Sequence, residues 1–362
     1  MASMRTFAQL PDALTWTAEA QEGLLSAHQC DLHGVGSSRR SRLVQAGRWR
    51  AVTRGVVDTI PTDPFRRTAE DVPVRPALPL VVRDSAAARA RSRAARAAAH
   101  RPRSDTDRLF DHLRRRAAWI GLLAHGPGAI AVGTSALALH GVEGLAWPAI
   151  PEVALDRAGR RPHRPGVRLR QFDDGMTVVG FGDPRTAEAR VATMGWALAQ
   201  AVPEQPPARG LALLDSALQL GLVDARGLEV AHDQARGRRG VASRHVLWEV
   251  ADARAQSPLE SFGRWQCIEA GVPPDVLQLP VSGRDGSLLG LGDMAWRQTS
   301  GRTLVVEMDG RDWHESSTDG GRRDRDRDNA FAAVPGVDVL RFDVRHVRDG
   351  VVGRRVRTFL RR

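Results

Sequence analysis

The sequence contains no lysine, two cysteines and no long apolar run. Any mechanism that needs an ammonium group in its active site is therefore excluded. Cys30 and Cys267 lie far apart in the chain, so we expect two reduced, structural thiols rather than a disulfide framework or a zinc cluster. No stretch approaches the ~20 apolar residues of a membrane helix. The N-terminus lacks a basic segment followed by an apolar core, so we expect a cytoplasmic protein with no membrane segment.

The charge balance favours polyanionic partners. The chain has 53 basic and 42 acidic residues, a formal net charge of +11, and every basic residue is arginine. The planar guanidinium binds phosphate bidentately and reads guanine edges, although total replacement of lysine also reflects biased genome composition. With 362 residues, the chain is long enough for two or three cores. We expect a multidomain α+β or α/β protein that binds DNA.

Residues 12–59 have the pattern of a winged helix-turn-helix. Short helical stretches are predicted around 17–23, 26–33 and 37–46, and a glycine turn at Gly47 opens two alternating stretches that are typical of a β-wing. This stretch resembles the N-terminal module of the AbiEi-type antitoxin family, and the resemblance implies binding to promoter DNA. The residues predicted to contact DNA are Arg39, Arg40, Arg42, Arg48, Arg50 and Arg54. The alternative is a three-helix cap with a solvated arginine face.

Two segments separate this module from the C-terminal part. Residues 60–107 are rich in proline, alanine and arginine, which predicts a basic linker. Residues 108–256 regain core-like composition, with helices predicted at 109–123, 134–141, 186–201 and 211–220 and strands at 152–155 and 167–170. This α+β middle module also resembles antitoxin-like proteins. His140 lies on an apolar helix, where a buried, hydrogen-bonded histidine is the more common arrangement.

Residues 257–362 have the element order α-β-β-β-α-β. Ser257-Pro258-Leu259-Glu260 is a helix start with a serine cap. Strands are predicted at 276–281, 288–296 and 303–309, and a helix at 322–333 precedes a fourth strand at 337–342. Glu307 and Asp309 share one strand face, and antiparallel pairing brings Asp293 beside Glu307. Glu260 is a candidate fourth acid.

Converging carboxylates repel one another unless a divalent cation neutralises them. The oxygen donors of Asp293, Glu307, Asp309 and Glu260 suit Mg²⁺, with Mn²⁺ as a substitute, and a metal-bound water next to a phosphodiester is a competent nucleophile. The other interpretation of these carboxylates is a set of salt bridges to arginine.

Residues 257–360 resemble the PD-(D/E)xK nuclease superfamily, and more narrowly its very-short-patch-repair (Vsr) endonuclease-like branch. The narrower resemblance rests on residues 305–314, where an apolar strand ends in Asp309-Gly310 and Trp313-His314 follows. It implies a restriction-endonuclease-like fold with Asp293 and Asp309 as metal ligands, Glu307 beside them and His314 as an acid/base candidate. Arg323 and Arg327, one turn apart, are predicted to face phosphate. Asp309 stands where the superfamily pattern has lysine, which leaves catalysis open.

Two functions are consistent with these patterns. The first is a magnesium-dependent DNA endonuclease with catalytic Asp293, Glu307, Asp309 and His314, delivered to its substrate by the winged helix; we favour this one. The second is an AbiEi-antitoxin-like regulator that binds DNA, keeps the nuclease fold without catalysis, and counters a toxin partner.

Overall fold

The structure is a computed structural model that describes residues 10–72, 104–155, 163–171, 175–181, 189–310, 331 and 334–361. These residues form a mixed α/β arrangement with a three-, a four- and a five-stranded sheet. The chain divides into two units: unit 1 is Met1–Ala201 with Val230–Arg236, and unit 2 is Val202–Glu229 with Gly237–Arg362. The domain boundary predicted at residue 257 lies inside unit 2. No described helix has both the length and the apolar composition needed to cross a bilayer.

The N-terminal part of unit 1 is a small helical bundle with a three-stranded antiparallel sheet. Its elements are α1 (Asp12–Ala20), β1 (Leu24–Ser26), α2 (Ala27–Leu32), α3 (Ser37–Gln45), β2 (Arg50–Thr53) and β3 (Val56–Asp58). Ser26 caps α2 in a capping box with Gln29, which fixes where that helix begins. Leu14, Cys30 and Trp49 pack in the core. Burial raises the pKa of the Cys30 thiol to about 11, in keeping with a structural cysteine.

A buried ionic network joins this part to α4 (Asp105–His125). Arg67 and Arg116 both donate to the Asp58 carboxylate, Arg116 through Nη2 at 2.7 Å. Glu22 accepts from His112 Nδ1 at 2.7 Å and from Arg115 Nε at 2.6 Å. The carboxylates of Asp58 and Glu22 are fully buried, and each is neutralised by guanidinium groups.

Part of the predicted linker belongs to this network. Residues 60–72 form two short 3-10 turns, Pro64–Arg66 and Ala69–Asp71, and the intervening Arg67 is buried. The arginine content of this segment favoured a solvated spacer. One of these arginines, Arg67, instead neutralises Asp58. Residues 73–103 lie outside the described part of the chain.

The rest of unit 1 is a mixed five-stranded sheet in the order β6-β5-β4-β8-β7. Its elements are β4 (Ala129–Ala131), α5 (Gly133–His140), β5 (Glu152–Leu155), β6 (Arg168–Arg170), β7 (Val178–Phe181), β8 (Ala189–Ala192) and α6 (Met194–Ala201). The helix predicted at 186–201 is wrong in its first half, because Ala189 and Val191 alternate inward on a strand that pairs with β4 and β7. The buried His140 bonds through Nε2 to the Ala192 carbonyl at 2.8 Å, as expected.

Unit 2 contains a four-stranded sheet in the order β12-β11-β10-β9, antiparallel except for the parallel β11–β12 pair. Its elements are α7 (Pro207–Gln219), α8 (Ala225–Ala235, shared with unit 1), α9 (His245–Val250), α10 (Pro258–Glu269), β9 (Val276–Ser282), β10 (Leu288–Arg297), β11 (Thr303–Asp309), β12 (Val337–Asp343), α11 (Val344–Arg348) and α12 (Val352–Leu360), with 3-10 turns at Val202–Glu204 and Val241–Ser243. The predicted helix at 322–333 falls almost entirely outside the described residues. Helices α11 and α12 were not predicted.

Helix α10 is fixed to α7 by a buried ion pair. The Arg264 guanidinium donates to both oxygens of Asp215, at 2.8 and 2.7 Å, and Ser261 Oγ donates to Asp215 Oδ2 at 2.7 Å. Met294, Val306 and Met308 pack on the α10 side of the sheet, and Ala295 and Val305 on the other. Helix α10 is therefore a rigid support for residues at its own N-terminus.

The ionic network of unit 1 predicts a loss of stability in mild acid. His112 is fully buried, its Nδ1–H donates to Glu22, and its Nε2 accepts from Arg67 Nη1 at 3.0 Å, so it is neutral. Burial lowers the pKa of His112 below 6.5, although the Glu22 carboxylate opposes the shift. Below pH ~6.5 the His112 imidazole binds a proton in the unfolded chain but not in the folded protein. The free energy of unfolding is therefore highest above that pH and falls as the pH drops towards the lowered pKa of the folded state.

The measurement is hydrogen exchange of the α4 amides at pH 7.5 and 5.5, corrected for the intrinsic exchange rate at each pH. The His112→Gln variant is the matched control, because its amide can donate to Glu22 and accept from Arg67 without titrating. We expect protection to fall at pH 5.5 more in the native protein than in the variant. An equal fall in both would contradict the role assigned to His112.

Candidate functional site

The unit 2 sheet brings Asp293 close to the strand that carries Glu307. β10 pairs with β11 from Met294↔Val306 to Arg297↔Thr303, so Asp293 and Glu307 each lie one residue beyond the paired segment of their strand. Asp309 follows two residues later at the exposed end of β11. The structure thus brings the three predicted acids to one end of the sheet.

A glutamine that sequence analysis did not identify connects two of the acids. Gln278 on β9 has a positive φ of 55°. Its amide nitrogen donates to Glu260 Oε2 at 3.0 Å and to Asp293 Oδ1 at 3.4 Å. The left-handed backbone at a non-glycine residue is strained, and such strain often accompanies functional positions. Gln278 therefore positions the carboxylate of α10 relative to that of β10.

Glu260 is held by the start of its own helix. Ser257 Oγ donates to Glu260 Oε1 at 2.8 Å, and the Gln256 backbone N–H donates to Oε2 at 2.8 Å. The side chain is buried within the first turn, where the helix dipole favours a negative charge. Both oxygens of Glu260 thus accept hydrogen bonds within the protein.

Asp293 extends the ladder between β10 and β11 with its side chain. Its Oδ2 accepts from the Met308 backbone N–H at 2.7 Å, one residue beyond Glu307. The carboxylate is half-buried, and this bond fixes it against β11. Asp293 therefore contributes to the alignment of the strand that carries Glu307 and Asp309.

Glu307 is neutralised by an arginine of the neighbouring strand. The parallel register pairs Glu307 with Arg341 on β12, and the Arg341 guanidinium forms an ion pair with Glu307 Oε2. The Glu307 side chain is 5% exposed and that of Arg341 34%. At Glu307 the structure therefore has the salt bridge that was the alternative interpretation of the acids. In the same register, Asp309 lies beside Asp343.

The described residues do not fit a magnesium site as they are placed. Among them there is no group of three or more histidine, cysteine, aspartate or glutamate side chains arranged to hold a metal ion. The oxygens of Glu260, Asp293 and Glu307 accept hydrogen bonds from other protein groups. His314, Arg323 and Arg327 lie outside the described residues, so their predicted roles are not addressed by the geometry.

A second candidate surface lies in unit 1, on α3 and the β2–β3 hairpin. Arg42, Arg48 and Arg54 are exposed, whereas Arg39 and Arg50 are half-buried. Arg50 pairs with Asp63 at 3.3 Å. The exposed guanidinium groups therefore lie on, or between, the helix and hairpin that the sequence predicts to meet DNA.

Arg40 differs from its neighbours because its guanidinium binds other groups within residues 12–59. It donates to Asp31 Oδ1 at 2.5 Å and to the Val35 carbonyl at 2.7 Å. These bonds close the turn between α2 and α3. Arg40 thus stabilises the presentation of α3, and sequence alone did not distinguish it from Arg42.

Comparison with known proteins finds relatives without an assigned activity. No family model matches the chain. Two uncharacterised proteins of Mycobacterium tuberculosis, from strains CDC 1551 / Oshkosh and ATCC 25618 / H37Rv, are each 32% identical over 153 residues, which is 41% of this chain and 55% of each relative. The chain therefore spans about half the length of the curated relatives it matches.

The Glu307–Arg341 pair predicts strong energetic coupling. Arg341→Met leaves a buried carboxylate without its cation and should cost about 1–3 kcal/mol of unfolding free energy. Glu307→Gln should cost less, since Arg341 is partly solvated, and the double variant should recover most of the loss. Urea unfolding of the four proteins measures the coupling as a double-mutant cycle.

The control is Arg302→Met, which removes the same type of side chain from an ion pair with Asp338 that is far more exposed. A surface pair contributes only about 0–1 kcal/mol. If Arg341→Met were no more destabilising than Arg302→Met, Glu307 would not depend on the guanidinium.

Proposed function

We propose that this chain is a DNA-binding protein. In this proposal residues 12–59 are a winged helix-turn-helix similar to the N-terminal module of AbiEi-type antitoxins, with α3 as the recognition helix and the β2–β3 hairpin as the wing. The observation that carries the proposal is the exposure of Arg42 on α3, of Arg54 in the β2–β3 turn and of Arg48 in the connection between the two elements. The net charge of +11 supports it, because phosphate neutralisation dominates the affinity of such proteins.

The same proposal assigns residues 257–362 to the PD-(D/E)xK superfamily and its Vsr-like branch. The sheet order β12-β11-β10-β9 and the helix α10 that precedes it support this assignment. The ion pair at Glu307 favours DNA binding without cleavage, as in an antitoxin-like regulator with a toxin partner. Regulation by binding is thus the function that the geometry supports best.

The DNA-binding proposal predicts that Arg42→Gln/Arg54→Gln weakens duplex binding. A plot of log affinity against log salt concentration has a negative slope, and each lost phosphate contact should reduce the magnitude of that slope by about 0.9. Duplexes selected from a random pool by the native protein serve as ligands, and fluorescence anisotropy at several salt concentrations measures the affinity.

Arg226→Gln/Arg284→Gln is the matched control, since it removes two exposed guanidinium groups from unit 2 and leaves the same net charge. We expect the control to retain native affinity at every salt concentration. If the native protein selects no duplex, or if both double variants lose affinity equally, the proposed surface is incorrect.

A second candidate function is a DNA endonuclease that requires Mg²⁺ or Mn²⁺. It is favoured by the four acids at one end of the sheet, two of which share the Gln278 amide. A metal site built from Asp293, Glu307 and Asp309 would require Glu307 to leave Arg341. The chain has no lysine that could assist hydrolysis, so His314 is the remaining acid/base candidate.

The endonuclease candidate predicts nicking of supercoiled plasmid in the presence of Mg²⁺ or Mn²⁺ that is lost in Asp309→Asn. Asp338→Asn, which changes a half-buried acid on the adjacent strand, is the control and should keep native activity. The readout is the conversion of supercoiled to open-circular DNA on agarose gels. Absence of cleavage on plasmid, duplex and single-stranded substrates would leave the regulator as the function.

A further inference from the structure

The outer face of α12 is basic, and no ion pair is seen at its two exposed arginines within the described part of the chain. Val352 and Val356 are buried against the sheet core, whereas Arg354, Arg355 and Thr358 are exposed on the opposite side of the helix. This spacing is that of an amphipathic helix whose polar face is basic. The face adds two guanidinium groups at positions the DNA-binding proposal does not use.

Helix α12 is held rigidly, so the face has a fixed position on unit 2. A Cβ on Gly353 would lie 2.0 Å from the Gln266 carbonyl oxygen, which means that only glycine permits so close an approach to α10. Gln266 also donates through Nε2 to the Val347 carbonyl at 2.7 Å and accepts from the Val352 N–H at 3.1 Å. The arginines of α12 thus project from a pre-organised support.

A cleft of about 410 Å³ lies next to this face. It is lined by Leu340, Val351, Arg354, Arg355, Thr358 and Phe359. Leu340 and Phe359 pack against the sheet core and form an apolar floor, while the arginines and the threonine hydroxyl supply polar groups. Among these lining residues there is no carboxylate. The cleft is open to solvent, as a site for a chain segment rather than for an enclosed ligand would be.

We propose that this cleft binds an unpaired nucleotide of single-stranded DNA. The guanidinium groups of Arg354 and Arg355 match phosphate oxygens, whereas the Thr358 hydroxyl donates to the Arg354 carbonyl at 2.9 Å. The ring of Phe359 and the side chain of Leu340 offer a surface on which an unstacked base can lie. A duplex hides its base faces by stacking, so it would leave the apolar floor unused. The ligand is therefore single-stranded.

The proposal does not depend on the surface of α3 and the β2–β3 hairpin. It is tested by fluorescence anisotropy of a labelled 12-nucleotide oligothymidylate with the full chain. We expect Arg354→Gln/Arg355→Gln to weaken binding at least about tenfold and to lower the salt slope by about 0.7 for each lost phosphate contact. Phe359→Leu, which keeps an apolar side chain but removes the ring, should weaken it about fivefold or more.

Two controls separate the loss of this site from a general loss of positive charge or of folding. Arg226→Gln/Arg284→Gln removes two exposed guanidinium groups elsewhere in unit 2 and should bind the oligonucleotide like the native protein. The Arg354→Gln/Arg355→Gln variant keeps its buried residues, so its thermal midpoint should be unchanged. The proposal is overturned if the native chain does not bind the oligonucleotide, if the Arg226 control loses as much affinity, or if a duplex of the same length binds this site equally well.

Discussion

Several buried carboxylates in the described part of this protein are neutralised by arginine, and the joining of its elements depends on that pairing. Asp58 is bound by Arg67 and Arg116, Asp215 by Arg264, and Glu307 by Arg341. A buried charge without a partner costs several kcal/mol, and the chain has no lysine to provide one. The guanidinium also offers several donors in a plane, so one arginine can bind two carboxylate oxygens, as Arg264 does. Each pair joins elements distant in sequence.

The arginines therefore divide into two groups that composition cannot separate. Arg40, Arg67 and Arg264 have their donors turned into the protein, where they bind carboxylates or backbone carbonyls. Others, such as Arg42 and Arg354, are exposed. A net charge of +11 counts both groups equally, although only exposed guanidinium groups can neutralise phosphate. The number of guanidinium groups available to bind DNA is therefore smaller than the total number of arginines.

Local patterns predicted the strand β11 and the start of α10 closely, because strand alternation and helix caps are encoded by neighbouring residues. β11 has the bounds 303–309 that were predicted, and α10 begins beside its Ser257 cap. Parity and turn length also predicted the antiparallel pairing of β10 with β11. The strand β8 was predicted as helix because its alanine-rich sequence is compatible with either a helix or a strand. Its pairing with β4 and β7 is a long-range contact, which the local pattern does not contain.

The roles of Gln278 and Arg341 could not be predicted either, because they also depend on long-range contacts. The contact between Gln278 and Glu260 requires an unusual backbone angle on β9, and the one between Arg341 and Glu307 requires the parallel register of β11 and β12. Neither is visible in the spacing of residues along one element. In contrast, the burial of His140 followed from the apolar helix around it. The sequence thus identified the acids but not the groups that bind them.

The choice of partner at Glu307 decides what the C-terminal acids can do. A carboxylate that is 5% exposed is stabilised by a counter-charge, and a guanidinium or a divalent cation can each supply it. Arg341 comes from the adjacent strand in register, so its attraction to Glu307 requires no binding event and is present in the free protein. Any cation from solution must compete with this intramolecular pair and also lose water of hydration. Arg341 therefore raises the concentration at which a divalent cation could replace it, which favours the proposed regulator over the proposed endonuclease.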